Sequence, residues 1–105
     1  MLCGCGTNNV EKSNLSLTEV KEIMSTKEYV MIDVRTKEEY EDLHIKDAVN
    51  IPVDDINKID IDKNKFIFVY CRSGNRSNTA YNILTNLGYT VYDLGAIDNI
   101  DLIKE

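Results

Sequence analysis

The segment FIFVY at residues 66–70 constrains the fold more than any other part of the chain. All of its side chains are apolar or aromatic, and no polar residue alternates with them. This pattern is typical of a strand that is covered on both faces, as the strands of parallel sheets are. The polar turn CRSGN follows directly, and a helical pattern begins after it. The segment therefore predicts a central strand that ends in a tight turn before a helix.

The remaining segments alternate between strand and helix patterns. Ser16 and Thr36 are each followed three residues later by a glutamate, which is the spacing of a capping box at a helix start. We predict further strands at 29–33, 48–51 and 90–94, helices at 16–27, 36–42, 76–87 and 96–104, and a helical turn at 53–59. The alternation predicts an α/β fold with three layers, in which about five mostly parallel strands lie between helices.

Composition excludes several classes of protein. The chain has 105 residues, which suits a single domain. Its 18 acidic residues outnumber its 12 basic residues and give a net charge of −6, which argues against a nucleic-acid partner. No apolar run reaches the ~18 residues that a membrane-spanning helix needs, and three cysteines are too few for a disulfide framework. We expect a small globular domain that is a monomer.

The first residues differ from the rest in composition. Residues 1–14 are mostly polar and have no periodicity, so we predict a flexible lead before a domain at 15–105. The segment LCGC at residues 2–5 resembles a bacterial lipobox, although a secretory signal would need an apolar core of about 7–15 residues before it. Two placements therefore stay open. One is an extracytoplasmic lipoprotein that is anchored through Cys5, and the other is a cytoplasmic protein in which Cys3 and Cys5 are incidental, redox-active or metal-binding.

Cys71 follows the central strand and opens the polar turn. In parallel sheets, ligands bind beyond the carboxyl ends of the strands. A turn that leads into a helix points backbone N–H groups and the positive end of the helix dipole toward that place. Cysteines at such positions can have thiol pKa values lowered from ~8.5 to ~3.5–7.5, and Gly74 lets the backbone approach an anion closely. We favour a nucleophilic Cys71, and the alternative is a small buried hydrophobic residue.

The chain resembles the rhodanese sulfurtransferases in three segments. The family's active-site loop is matched by CRSGNRS at 71–77, its first signature by YVMIDVRTKEEYEDLHIKDAVNIP at 29–52, and its closing strand and glycine turn by LGYTVYDLGAI at 87–97. The resemblance covers about residues 16–102 in family order. It implies a three-layer rhodanese-like domain.

The resemblance also implies a reaction. Cys71 would attack the outer sulfur of thiosulfate, release sulfite and become a persulfide, and cyanide, a thiol or a dithiol protein would then take the sulfur. The family holds the persulfide with backbone N–H groups of its loop, and no metal or organic cofactor takes part. The first of the loop arginines would attract the sulfonate end of thiosulfate. The implied substrate-binding residues are Arg72, Ser73, Gly74, Asn75, Arg76 and Ser77.

Two other functions stay open. Related domains that act on phosphate or arsenate have a loop one residue longer, whereas only four residues separate Cys71 from Arg76 here. The smaller loop suits a single sulfur atom, so a phosphatase or an arsenate reductase ranks below sulfur transfer. The second alternative is a module that is not itself catalytic and carries a persulfide for a partner protein.

Several residues outside the loop have structural roles in the family. The resemblance implies that Arg35 forms an ion pair, with Glu39 as its partner, and that Asp33 bonds the backbone near the active loop. Ser77 could cap the helix or donate to the catalytic sulfur, and we favour capping. His44 is the one histidine of the chain, and we predict a structural hydrogen-bonding role for it rather than catalysis.

Overall fold

The computed structural model describes residues 16–105. The flexible lead predicted at 1–14 and the two cysteines within it lie outside these residues. No helix in the described part of the chain is long and apolar enough to cross a membrane.

The fold is built on a parallel sheet. Its strands are β1 at Tyr29–Asp33, β2 at Val49–Asn50, β3 at Phe66–Cys71 and β4 at Thr90–Ala96. Within residues 16–105 the sheet has four strands, in the order β2-β1-β3-β4, where the sequence pattern favours about five. All three strand pairings are parallel. Because β3 pairs with β1 on one side and β4 on the other, the prediction of a central FIFVY strand is confirmed.

Helices lie on both faces of this sheet. They are α1 at Leu17–Thr26, α2 at Lys37–Asp42 and α3 at Asn75–Asn86, with 3-10 turns at Val53–Lys58 and Ile97–Asn99. Both predicted capping boxes are present at the starts of α1 and α2. At the end of α3 the chain turns through Gly88, whose φ of +97° is in the left-handed region that glycine tolerates.

The core is divided between the two faces of β3. Ile67, Val69 and Cys71 point toward the side on which α3 packs. Phe68 and Tyr70 point toward the opposite side, which α1 covers. Each of these five side chains belongs to a residue with no solvent exposure. The unbroken apolar run is thus explained by two buried faces, and the three-layer α/β architecture is confirmed.

The predicted closing helix at 96–104 is wrong. After the 3-10 turn the chain runs extended, and Ile45 pairs with Lys104 in an antiparallel bridge. Lys46 donates its backbone N–H to the carbonyl of Ile103 at 2.8 Å. Ile103 itself is 72% exposed, so it does not complete an apolar helical stripe. The segment satisfies its backbone groups by pairing with a distant loop instead of forming helical bonds.

Candidate functional site

The candidate site lies where β3 ends and α3 begins. Cys71 is the last residue of β3 and has no solvent exposure. Three residues then turn the chain, and Gly74 is the N-cap of α3 with φ +99° and ψ −14°. A side chain at this φ would be strained, so glycine is what allows the turn to be this tight. The other two residues of the turn, Arg72 and Ser73, are exposed, whereas Cys71 is buried.

The Cys71 sulfur sits against the first turn of α3. The backbone N–H of Gly74 donates to Sγ at 2.8 Å. Ser77 Oγ lies 3.4 Å from Sγ and donates to the Gly74 carbonyl at 3.2 Å. Ser77 is fully buried, and the helix N-cap is Gly74 without a side-chain bond. Our preference for Ser77 as a cap is therefore wrong, because its hydroxyl lies inside the first turn, next to the sulfur.

Arg76 is tied to a neighbouring helix. Its Nη1 and Nη2 donate to Glu39 Oε1 and Oε2 at 2.7 and 3.1 Å, a bidentate pair that joins α3 to α2. Hydrogen bonding from Arg76 is the main reason why the pKa of Glu39 falls to about 2. The same carboxylate also raises the pKa of Arg76.

Arg35 has a different partner from the one that the resemblance implies. Its Nη2 lies 2.6 Å from Asp33 Oδ2, and both side chains are almost fully buried. A further bond from Nη2 reaches the carbonyl of Leu43 at 2.6 Å. The expected ion pair of Arg35 with Glu39 is wrong, since Arg35 precedes α2 and Glu39 turns to Arg76. The Asp33 carboxylate bonds Arg35, including its backbone N–H at 2.9 Å, rather than the active loop.

A cavity of about 280 Å³ opens beside the loop. Arg72 lies on its wall and has no salt-bridge partner within 4 Å among residues 16–105. Asn75 and Ser73 are exposed. The residues that line this cavity together with Arg72 were not indicated as a group by the sequence motifs: Arg35, Glu39, Asp42, Leu43, Ile97 and Asp98. A larger cavity of about 400 Å³ lies elsewhere and involves no residue of the loop.

His44 makes hydrogen-bonding contacts of the kind that the sequence analysis predicts for it. Its ring stacks on Tyr40 with 3.8 Å between centroids, and Nδ1 lies 2.8 Å from the Tyr40 carbonyl. Its backbone N–H bonds the Glu105 carbonyl, and Nε2 lies 3.5 Å from the Glu105 carboxylate. In the described part of the chain, no group of three or more histidine, cysteine or acidic residues could hold a metal ion.

The fold and the site define a class of protein: a parallel α/β domain with a cysteine at a strand-to-helix turn. Comparison with family models identifies the family within this class. Residues 16–99 match the model of the Rhodanese-like domain, so the chain belongs to the rhodanese-like family of sulfurtransferases and sulfur carriers.

Three proteins show the range of the similarity. "Thiosulfate sulfurtransferase PspE" of Escherichia coli is 37% identical over 78 residues, which cover 70% of this chain and 75% of that protein. "Putative sulfur carrier protein YrkF" of Bacillus subtilis is 33% identical over 78 residues, which cover 71% of this chain and 42% of that protein. The solved structure "rhodanese with anions from E. coli" is 34% identical with a TM-score of 0.69, covering 73% of this chain and 96% of that one.

Some relatives are much longer than this chain. The match to "Probable molybdopterin-synthase adenylyltransferase" of Porphyra purpurea, 42% identical over 67 residues, covers 60% of this chain and 18% of that protein. The shared segment is thus a domain that occurs both in short proteins and within larger ones.

Proposed function

We propose that this protein transfers sulfane sulfur from thiosulfate to a thiophilic acceptor through a persulfide on Cys71. The observation that carries the proposal is the 2.8 Å hydrogen bond from the Gly74 N–H to Cys71 Sγ at the start of α3. A helix N-terminus and an inward backbone donor stabilise negative charge, and both the thiolate and the persulfide place that charge on sulfur. The reaction needs no metal and no organic cofactor.

The two half-reactions balance in atoms and charge. The Cys71 thiolate attacks the outer sulfur of thiosulfate, a sulfur–sulfur bond forms to Sγ, and the bond to the sulfonate sulfur breaks with its electron pair. Sulfite leaves, and the protein keeps a persulfide anion. A cyanide ion, a thiolate or a thiol of a dithiol protein then attacks the terminal sulfur and restores the Cys71 thiolate. With cyanide the product is thiocyanate.

The loop residues have distinct roles in this proposal. Backbone N–H groups of residues 72–77 surround the terminal sulfur of the persulfide, and Gly74 already donates to Sγ. Arg72 attracts the sulfonate end of thiosulfate, since it is exposed and lacks a salt bridge within residues 16–105. Because Cys71 has no solvent exposure, the proposed reaction requires the turn of Arg72 and Ser73 to shift so that the donor can reach Sγ.

A persulfide carrier is the second candidate function. The similarity to a protein named as a sulfur carrier favours it, and so does the complete burial of Cys71, which would shelter a persulfide from solvent. A phosphatase or an arsenate reductase is disfavoured by the loop itself. Arg76 would have to bind the oxyanion, and both of its terminal nitrogens are occupied by Glu39.

The thiosulfate–cyanide assay, followed as thiocyanate, tests the proposal. Cys71→Ser should lose turnover completely, and a matched variant with Cys3→Ser and Cys5→Ser should keep it. Turnover that survives in Cys71→Ser would disprove the role of Cys71. A parent protein that is inactive with thiosulfate, yet takes sulfur rapidly from a persulfidated protein, would establish the carrier instead. Turnover of a phosphate ester or arsenate would establish the third function.

A further inference from the structure

We propose that Glu39 sets the affinity of the active loop for anions by holding the guanidinium of Arg76 in an ion pair. Removal of the Glu39 carboxylate would leave the Arg76 guanidinium as a second unpaired cation in the loop, beside Arg72. Glu39 is thus a specificity-determining residue that limits the binding of multiply charged donors. The relevance to sulfur donors rests on the function proposed above, whereas the effect on anions does not.

The geometry of the pair shows that Arg76 is withheld. Two parallel hydrogen bonds of 2.7 and 3.1 Å use both terminal nitrogens of the guanidinium. The side chains of Arg76 and Glu39 are only 33% and 23% exposed, so the pair is partly shielded from solvent. An anion that arrived at the loop would have to compete with a carboxylate that is already bound in bidentate geometry.

The Glu39 carboxylate is also held in position by hydrogen bonds from Thr36. Its Oε1 accepts from the backbone N–H of Thr36 at 3.0 Å and from Thr36 Oγ1 at 3.1 Å. In return, the Glu39 N–H donates to Thr36 Oγ1 at 3.2 Å, which completes the capping box of α2. The carboxylate therefore loses little further conformational freedom when it binds the guanidinium.

The Glu39–Arg76 pair fixes the charge of both of its partners near the Cys71 sulfur. Arg76 holds the pKa of Glu39 at about 2, so the carboxylate is ionised throughout the neutral range. The pKa of Arg76 is raised mainly by hydrogen bonding to Glu39, and negative charge on the Cys71 sulfur would raise it further. The guanidinium thus interacts with the sulfur at which the donor would react.

Pairing leaves Arg72 as the loop arginine without a salt bridge in the described residues, in a cavity that Asp42 and Asp98 also line. Arg35 is matched by Asp33 at 2.6 Å, and Arg76 is matched by Glu39. Arg72 has no salt bridge within the described residues. A net change of one charge at the Glu39–Arg76 pair would therefore alter the attraction of an anion substantially. Neutralising Glu39 would strengthen the attraction, and neutralising Arg76 would weaken it.

The test compares the rates at which a negatively charged and a neutral alkylating reagent react with Cys71. In a background with Cys3→Ser and Cys5→Ser, we would measure the alkylation rates of Cys71 by iodoacetate and by iodoacetamide. The ratio of these rates cancels changes in thiolate fraction and loop opening, and it leaves the attraction for the negative charge. Glu39→Gln suits this test because glutamine also completes a capping box.

Opposite shifts distinguish a charge effect from a structural one. Glu39→Gln should raise the iodoacetate-to-iodoacetamide ratio about threefold or more at low salt, and Arg76→Gln should lower it by a similar factor. The double variant should return near the parent value, because neither charge remains. Glu41→Gln is the matched control, since Glu41 lies on the same helix, is 63% exposed and makes only a 4.0 Å contact with Lys37.

Several outcomes would overturn the inference. An unchanged ratio in Glu39→Gln would do so, and so would shifts of the same sign in both single variants, which would indicate that the pair merely holds the loop in shape. A Glu41→Gln effect as large as that of Glu39→Gln would show that any charge on α2 suffices. The KM for thiosulfate tests the link to function separately: Glu39→Gln should lower this KM about threefold. Absence of thiosulfate turnover in the parent would contradict the proposed function, while the alkylation ratios would still decide the role of Glu39.

Discussion

Gly74→Ala tests whether the backbone geometry of the turn supports the chemistry of the sulfur. Gly74 has a φ of +99°, and a Cβ added there would meet no atom within 4 Å. The substitution is therefore a conformational perturbation with no steric clash. An alanine in this region costs about 1–2 kcal/mol. The reduced freedom of the unfolded chain offsets about 0.4–1 kcal/mol of this, so we expect a net loss of stability of about 1 kcal/mol.

The effect on activity should be larger than the effect on stability. As the backbone relaxes toward negative φ, the Gly74 N–H turns away from Cys71 Sγ, to which it donates at 2.8 Å. A hydrogen bond to a charged group contributes about 1.5–3 kcal/mol. We therefore expect kcat/KM in the thiosulfate–cyanide assay to fall about 10- to 100-fold.

Gly88→Ala is the matched control. Gly88 has a φ of +97°, and an added Cβ would make only ordinary contact with the Lys63 side chain at 3.8 Å. It follows the opposite end of α3, whose 12 residues span about 18 Å along the helix axis. Urea unfolding should show similar losses of stability for the two variants, whereas kcat/KM should fall only for Gly74→Ala. Equal kcat/KM values in the two variants would refute the claim that the turn positions a donor for the sulfur.

Two other predictions concern the ion pairs. Asp33→Asn leaves the Arg35 guanidinium buried without its carboxylate, so the free energy of unfolding measured in urea should fall by about 3–5 kcal/mol, and a loss below about 1 kcal/mol would show that the pair is dispensable. The pKa of Glu39 is lowered from about 4.5 to about 2, mainly by Arg76, so the pair's contribution to stability is complete above pH 4.5 and is lost as the pH falls toward 2. Thermal unfolding across this range should show a smaller decline for Glu39→Gln than for the parent protein, and parallel declines would contradict the assignment.

Local patterns predicted the elements that surround the site. The apolar run at 66–70 requires two covered faces, so it identified the central strand and the turn after it. The two capping boxes were visible because Ser16 and Thr36 need partners only three residues away. The position of Cys71 at the start of a helix was predictable for the same reason, because the turn residues and the helix follow Cys71 directly in sequence.

Contacts between distant segments could not be predicted in this way. Arg76 and Glu39 are 37 residues apart, and nothing local to either indicates the other. The spacing of Arg35 and Glu39 resembles an i,i+4 pair, but α2 begins only at Lys37, so helical geometry does not bring them together. The closing segment failed as a helix for a similar reason, because its backbone partners lie in the distant loop around Ile45.

The mass of the protein after reaction with thiosulfate tests the central claim most directly. If Cys71 carries the transferred sulfur, peptide mass spectrometry should find a gain of about 32 Da on Cys71, matched by the release of one equivalent of sulfite, and cyanide should remove it. Neither Cys3 nor Cys5 should carry the added sulfur. Sulfite release without a gain at Cys71, or a gain that appears on Cys3 or Cys5 instead, would contradict the account.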